Sequence, residues 1–145
     1  MSINVVTEIF IKKSPEEVAN FLFNPKMDTR WLRELSGVYP MQSGLYSKGD
    51  RIERVGVFLK KAYSAKVVVT NVLENKSVEL YSDEPFEMKI KYEIAPKDDG
   101  TNVKYSISSI SDIPFNNPIK TLNEIVSSAM TEDIERLRKH IEDDF

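Results

Sequence analysis

Residues 3–12 alternate. Ile3, Val5, Thr7, Ile9 and Ile11 fall on one side, and Asn4, Val6, Glu8, Phe10 and Lys12 on the other. A period of two predicts a half-buried strand. The pattern then changes. Ser14 is placed to cap a helix whose first residue is Pro15, and Glu17, three residues on, completes a capping box. Val18, Phe21 and Leu22 give this helix, over roughly 15–23, one apolar face. Asn24-Pro25 breaks it, because the residue before proline avoids the helical region. A second short helix is expected over 26–33, with Met27 and Trp31 one turn apart.

No helical pattern follows until after residue 112. Val38–Met41 reads as a short strand, Gly44 and Lys48-Gly49-Asp50 as turns, and Arg51–Leu59 as a strand. Ala62–Leu73 is a longer one, rich in β-branched residues. Glu74-Asn75-Lys76 turns the chain into Val78–Tyr81, and Glu84-Pro85 turns it again. Phe86, Met88, Ile90, Tyr92 and Ile94 then alternate with Glu87, Lys89, Lys91 and Glu93, the clearest amphipathic strand in the chain. Lys97-Asp98-Asp99-Gly100 is a hairpin loop, and Val103, Tyr105, Ile107 and Ser109 line one face of the last strand. Asn117 and Pro118 then read as the N-cap and first residue of a helix running to about residue 142. At ~1.5 Å per residue it is about 37 Å long, the only element long enough to cover a whole sheet.

The order is β-α-α, five or six strands, then α. Consecutive strands joined by short turns make an antiparallel sheet, one face of which must be covered. The fold class expected is α+β: a curved antiparallel sheet of about seven strands wrapped around the C-terminal helix, with the two short helices plugging one end. A curl of this kind leaves room for an internal cavity between sheet and helix. The 145 residues form a single domain on this reading.

Composition narrows the function classes. The chain is 41% apolar and 30% charged, as expected of a soluble globular protein. No apolar run approaches the ~20 residues that span a bilayer, so stable membrane insertion is not expected. Met1-Ser2-Ile3-Asn4 lacks the basic start and apolar core of a signal peptide, and there is no cysteine, so a cytoplasmic location is expected. Twenty basic against 23 acidic residues give a net charge of −3, which argues against nucleic acid as a partner. The longest basic cluster, Arg136-Leu137-Arg138-Lys139-His140, lies in the last turns of a helix, where cations suit the macrodipole. One histidine, no cysteine and no calcium-loop pattern leave no metal site, and Asp98-Asp99 and Asp143-Asp144 read as solvated ends. Five scattered glycines make no phosphate loop or dinucleotide fingerprint, so no cofactor is expected. A nucleophile triad would need His140, which reads as a packed or partly exposed helix residue.

Taken together, the pattern resembles the START-like, or Bet v 1-like, helix-grip superfamily, and is most similar to its polyketide cyclase/dehydrase branch. The resemblance is carried by the strand ending at Ile11, by Ser14-Pro15-Glu16-Glu17-Val18 with Phe21-Leu22, and by the Asn24-Pro25 break and Arg30-Trp31. Lys48-Gly49-Asp50 stands where the family has a glycine before its next strand. Val69-Thr70-Asn71-Val72-Leu73-Glu74 resembles a strand-ending family run whose aromatic and prolines are replaced here. Leu137 and Ile141 fit the closing helix. The resemblance spans nearly the whole chain. It implies the fold; the fold itself hosts carriers, receptors, cyclases and co-chaperones.

The residues offer a short list of candidate chemistry. At 100° per residue, Ile119, Val126, Met130, Leu137 and Ile141 share one face of the closing helix, flanked by Leu122 and Ile134. Asn123 and Asp133 fall inside that apolar stripe. A carboxylate facing an apolar cavity is costly unless paired or wetted. Asp133 therefore either serves a pocket, as a hydrogen-bonding group or a base of raised pKa, or reaches water, or pairs with Arg136 or a strand residue such as Lys66. Asn123 is placed nearer a pocket mouth. Thr7, Tyr92, Tyr105 and Ser109 are the polar residues expected to point inward from the strands, and Met41, Met88 and Met130 the adaptable lining. In the resembled fold the loop Asp112-Ile113-Pro114-Phe115 flanks the entrance, which makes Ile113 and Phe115 either a gate or a cap on the core.

Three functions remain open on this basis. The leading one is binding of a small hydrophobic molecule, a lipid, polyketide or aromatic metabolite, by a monomer or homodimer. The second is a cyclase or dehydratase using general acid–base catalysis, which needs two convergent titratable groups. The third is a co-chaperone-like interaction module, with a filled cavity and an exposed apolar patch.

Overall fold

The computed structural model describes residues 2–143. Met1 and Asp144, which entered the reading of the two ends, lie outside them. Strand β1 (Asn4–Ile11) leads into helix α1 (Pro15–Leu22), a 3-10 turn (Pro25–Met27) and helix α2 (Asp28–Trp31). Then come β2 (Leu35–Pro40), β3 (Arg51–Phe58), β4 (Lys61–Leu73), β5 (Ser77–Ser82), β6 (Met88–Lys97), β7 (Gly100–Ser109) and helix α3 (Ile119–Asp143). The seven strands form one antiparallel sheet ordered β1-β7-β6-β5-β4-β3-β2.

The capping box forms as the sequence implies: the Ser14 side chain accepts from the Glu17 N–H, and Glu17 reaches back to the cap N–H. α1 buries Val18, Ala19, Phe21 and Leu22 and packs on β6, β7 and α3, while α2 packs on β2 and α3. The chain thus crosses from one sheet edge to the other through the two short helices, which fill the open end of the curl. α3 buries Leu122, Val126, Met130, Asp133, Ile134, Leu137 and Ile141.

α3 also guards the β1 edge. Asn123 Oδ1 accepts from the Asn4 N–H (3.0 Å), and Glu142 Oε2 accepts from the Lys12 N–H (2.9 Å). Nineteen helical residues at ~1.5 Å and eight strand residues at ~3.4 Å both span about 28 Å. The helix and the strand edge are therefore matched in length, and α3 holds that edge at both ends.

The structure departs from the sequence reading at several points. The second helix is shorter than 26–33 because the chain first makes the 3-10 turn. The first edge strand is Leu35–Pro40 rather than Val38–Met41. Met41 lies beyond its end at 75% exposure and cannot line a cavity. β6 begins at Met88, with Phe86 buried in the bend before it. Pro118 occupies the cap position of α3, its carbonyl accepting from the Leu122 N–H at 3.0 Å, so the helix starts two residues after Asn117. Between β3 and β4 a two-residue turn is made by Leu59 (φ 51°) and Lys60 (φ 65°). Neither residue suits left-handed backbone, so nothing in the sequence announces a hairpin there. Such a conformation costs roughly 1–2 kcal/mol per non-glycine residue. Lys60→Gly, at an exposed position, should raise stability to urea by about 1 kcal/mol.

Candidate functional site

A pocket of about 170 Å³ opens between the concave face of the sheet and α3. Met88 and Ile107 form its floor, and Val126, Ala129 and Met130 its helical wall. Phe58, Leu59 and Phe86 close the side toward the β3–β4 turn. The polar side chains reaching it are few: Glu34, Tyr105 and Asp133. Phe58 and Pro85 separate the pocket from an outer cleft of about 460 Å³, which Tyr63 and Phe115 also line. A further recess of about 30 Å³ continues inward past Glu34, Met88 and Tyr105 to Arg54.

Each polar group is placed by local structure. Asp133 follows Met130 by one turn on the buried face of α3, so it must face inward with its neighbours. It is 7% exposed. Its Oδ1 accepts from Arg136 Nη1 at 2.8 Å and from the Arg33 N–H at 3.3 Å. Arg136 Nη1 also donates to the Trp31 carbonyl at 2.8 Å, so one guanidinium ties α3 to α2. Of the two partners considered for Asp133, Arg136 is the one used; Lys66 points outward from β4. Burial pushes the Asp133 pKa up, against the pull of Arg136 and the Arg33 N–H.

Glu34 enters from the turn between α2 and β2. Glu34 as a whole is exposed, but its side chain lines the pocket and accepts from the Tyr63 hydroxyl at 2.8 Å, and its carbonyl accepts from the Val57 N–H at 3.1 Å. Gly56 makes room for this pair: a Cβ there would stand 2.7 Å from the Glu34 carbonyl oxygen and 2.9 Å from the Tyr63 hydroxyl. Desolvation of the carboxylate raises the Glu34 pKa, the Tyr63 bond opposes it, and Asp133 adds repulsion. Tyr105 is 5% exposed, and no hydrogen bond holds its hydroxyl among the described residues. Burial, followed by Tyr92, Asp133 and Glu34, pushes its phenol well up, so it is a hydrogen-bond donor at neutral pH.

Behind the pocket lies a polar cluster that the sequence reading missed. Arg54 Nη2 donates to Asp28 Oδ2 at 2.8 Å, and lies 3.0 Å from the Tyr46 and 3.2 Å from the Tyr92 hydroxyl. The Tyr46 hydroxyl donates to Asp28 Oδ2. Asp28 and Tyr92 are fully buried, and Arg54 and Tyr46 nearly so. Burial raises the Asp28 pKa against Arg54 and Tyr46, and pushes Tyr92 up to about 12. Asp28 Oδ1, Arg54 Nε and Trp31 Nε1 have no hydrogen-bond partner among the described residues. One signal for Arg54 was present: it shares strand parity with Ile52 and Gly56, both buried. Asp28, Tyr46 and Glu34 sit on short or irregular segments whose pattern gives no facing.

The candidate residues therefore divide. Met88, Tyr105, Met130 and Asp133 meet at the pocket, and Phe115 stands at the outer cleft, its ring 5.4 Å from that of Phe58. Tyr92 lies deeper, against Arg54. Thr7, opposite Tyr105 in the sheet, lies on β1 beneath α3 and lines neither pocket nor cleft. Ser109 turns to the β1 backbone, its Oγ accepting from the Ile3 N–H at 2.8 Å. Asn123 is outside the pocket altogether, because its side chain is spent on the β1 edge. Ile113 and Phe115 are half-buried against the core rather than exposed. His140 stacks on Phe21, ring centroids 6.1 Å apart.

Solved structures with this architecture are numerous. A START superfamily protein from Mycobacterium smegmatis superposes with a TM-score of 0.80 at 13% identity, covering 98% of this chain and 99% of the other. Ara h 8.0201 matches with a TM-score of 0.71 at 10% identity, covering 97% and 98%. DynU16, a putative protein in the dynemicin biosynthetic locus, matches with a TM-score of 0.72 at 12% identity, covering 98% of this chain and 48% of that one. No protein-family model and no curated protein sequence matches the chain. The fold is thus the START-like, Bet v 1-like helix grip, as the strand–capping box–helix order implied. No helix among the described residues is long and apolar enough to cross a membrane.

Two outcomes follow from the site's electrostatics. Asp28→Ala strands the buried Arg54 charge and should cost about 3–5 kcal/mol in urea unfolding, while Asp28→Leu combined with Arg54→Met should recover most of that loss. For Glu34 the sign is set by its raised folded-state pKa. The ionised form costs stability above that value, and the cost fades as pH falls through it toward the ordinary 4.5. Glu34→Gln should therefore raise the melting temperature slightly at pH 7 and leave it unchanged near pH 4, as read by calorimetry at the two pH values.

Proposed function

We propose that the protein binds a small, mainly apolar molecule in the pocket between the sheet and α3. The observation that carries this reading is the pocket's make-up: apolar walls from three directions with Glu34, Tyr105 and Asp133 converging on it. Sites for small molecules combine apolar walls with a few placed polar groups in this way. A volume of about 170 Å³ suits a single ring or a short chain, since a cavity of roughly 150 Å³ takes one benzene. A longer ligand would run out past Phe58 and Pro85 into the cleft. The driving force is removal of apolar surface from water, and the polar groups set orientation. An open pocket favours this over the interaction-module reading, which requires a filled one.

One observation also supports the acid–base reading. Glu34 and Asp133, two carboxylates whose pKa burial raises, line one pocket with the Tyr105 hydroxyl, which stays a neutral hydrogen-bond donor.

Binding is tested with 2-phenylethanol followed by NMR chemical shifts. Saturable binding is expected, with a dissociation constant on the order of 0.1–1 mM for a ligand of this size. Ala129 lies exposed at the pocket rim, so Ala129→Trp should block the mouth and weaken binding at least about tenfold without changing the urea midpoint. Undiminished binding by the variant, or absence of saturable shifts in the wild type with this alcohol and with charged analogues of the same shape, would remove the pocket reading.

A further inference from the structure

The pocket's charges do not balance. Asp28 is held by Arg54, and Asp133 by Arg136, each pair at 2.8 Å. Glu34 is left: its hydrogen-bond donor is the neutral Tyr63 hydroxyl, and no ion pair engages it among the described residues. Its bond falls on Oε2, and both bonds to Asp133 fall on Oδ1, which leaves Glu34 Oε1 and Asp133 Oδ2 as acceptors. No lysine or arginine lines the pocket. Its remaining polar group, the Tyr105 hydroxyl, has no hydrogen-bond partner among the described residues. Three aromatic rings, those of Phe58, Phe86 and Tyr105, stand around the same space.

We infer that the pocket selects an organic cation: a primary amine, protonated at neutral pH, on a single-ring or short aliphatic body. This rests on the reading of the pocket as a ligand site and adds the chemistry of the head group. The ammonium donates to Glu34 Oε1 and Asp133 Oδ2, replacing the water that a bare ammonium loses on entry. Tyr105 turns its oxygen toward the same head, and the aromatic faces add cation–π attraction. The ligand's single positive charge matches the one uncompensated carboxylate, so the occupied pocket is neutral. A carboxylic acid of the same size meets the opposite situation. Its anion faces Glu34 and Asp133, and the guanidinium that could receive it, Arg54, is already engaged by Asp28. A neutral alcohol satisfies hydrogen bonds without balancing charge and falls between the two.

The test compares three probes of one shape at pH 7: 2-phenylethylamine, 2-phenylethanol and phenylacetate, each titrated against the full chain by NMR and calorimetry. The amine should bind about tenfold tighter than the alcohol, the scale of one charge-assisted hydrogen bond in a partly dry site, and phenylacetate should bind weakest. Glu34→Gln should bring amine and alcohol within about threefold of each other, and a cooperative urea transition with a midpoint no lower than the wild type's reports that the variant is folded. Alcohol or phenylacetate binding as tightly as the amine would overturn the cation assignment and leave the pocket reading standing. So would an amine preference that survives Glu34→Gln. Failure of all three probes to bind would overturn both.

Discussion

The buried ion pair between Arg54 and Asp28 is the constraint on which the architecture depends. Arg54 comes from the middle of β3 and Asp28 from the first residue of a four-residue helix. A helix that short has no stability of its own. It is held by what it touches: Trp31 packed edge-on against Tyr92 and Tyr105 at 5.6 and 5.4 Å, and Asp28 locked to the sheet wall through Arg54. Tyr46 extends the lock to the β2–β3 loop, and its N–H donates to the Phe23 carbonyl at 2.8 Å. Four separate segments thus share one charged centre. Removing either charge alone leaves the other buried without a counter-charge, so the centre acts as a registration device for the helical plug.

That registration sets the pocket. With α2 fixed, the following turn carries Glu34 to the mouth, and Gly56 leaves the space in which Glu34 and Tyr63 approach. α3 is fixed by its apolar stripe on the core, by Asn123 and Glu142 on the β1 edge, and by Arg136 on the Trp31 carbonyl of α2. Its Asp133 then meets Glu34 and Tyr105 across a gap the apolar side chains do not fill. The raised pKa values of Glu34 and Asp133 state the cost: both carboxylates are held where folding opposes their charge. A fold shaped only for stability would place apolar groups there. Both carboxylates border an open space that the neighbouring apolar side chains leave unfilled.

Legibility in the sequence followed periodicity. The strands and α3 have long enough patterns that their facing could be read, and Asp133 stood out because a carboxylate interrupts a helical apolar stripe. Arg54 was readable by the same logic on β3, between Ile52 and Gly56. Glu34, Asp28 and Tyr46 were not, since they occupy a turn, a single helical turn and a loop. Asn123 and Ser109 were expected at a pocket, but their polar atoms are taken up by the backbone of the neighbouring strand. The Leu59–Lys60 turn left no trace, because two residues with no liking for left-handed backbone are forced into it by the strands on either side.

By itself, the sequence determined the order of elements, the capping that begins α1, the faces that become core, and the placement of one carboxylate among apolar neighbours on α3. These are properties of residues within a few turns or a few strand positions of one another, where side-chain direction repeats with the backbone. Tertiary structure alone decided which polar groups meet. Arg33 and Asp133 are 100 residues apart in the chain, and Arg54 and Tyr92 are 38 apart. Their meeting depends on how far the sheet curls and where the helices seat within it, and no local pattern records either.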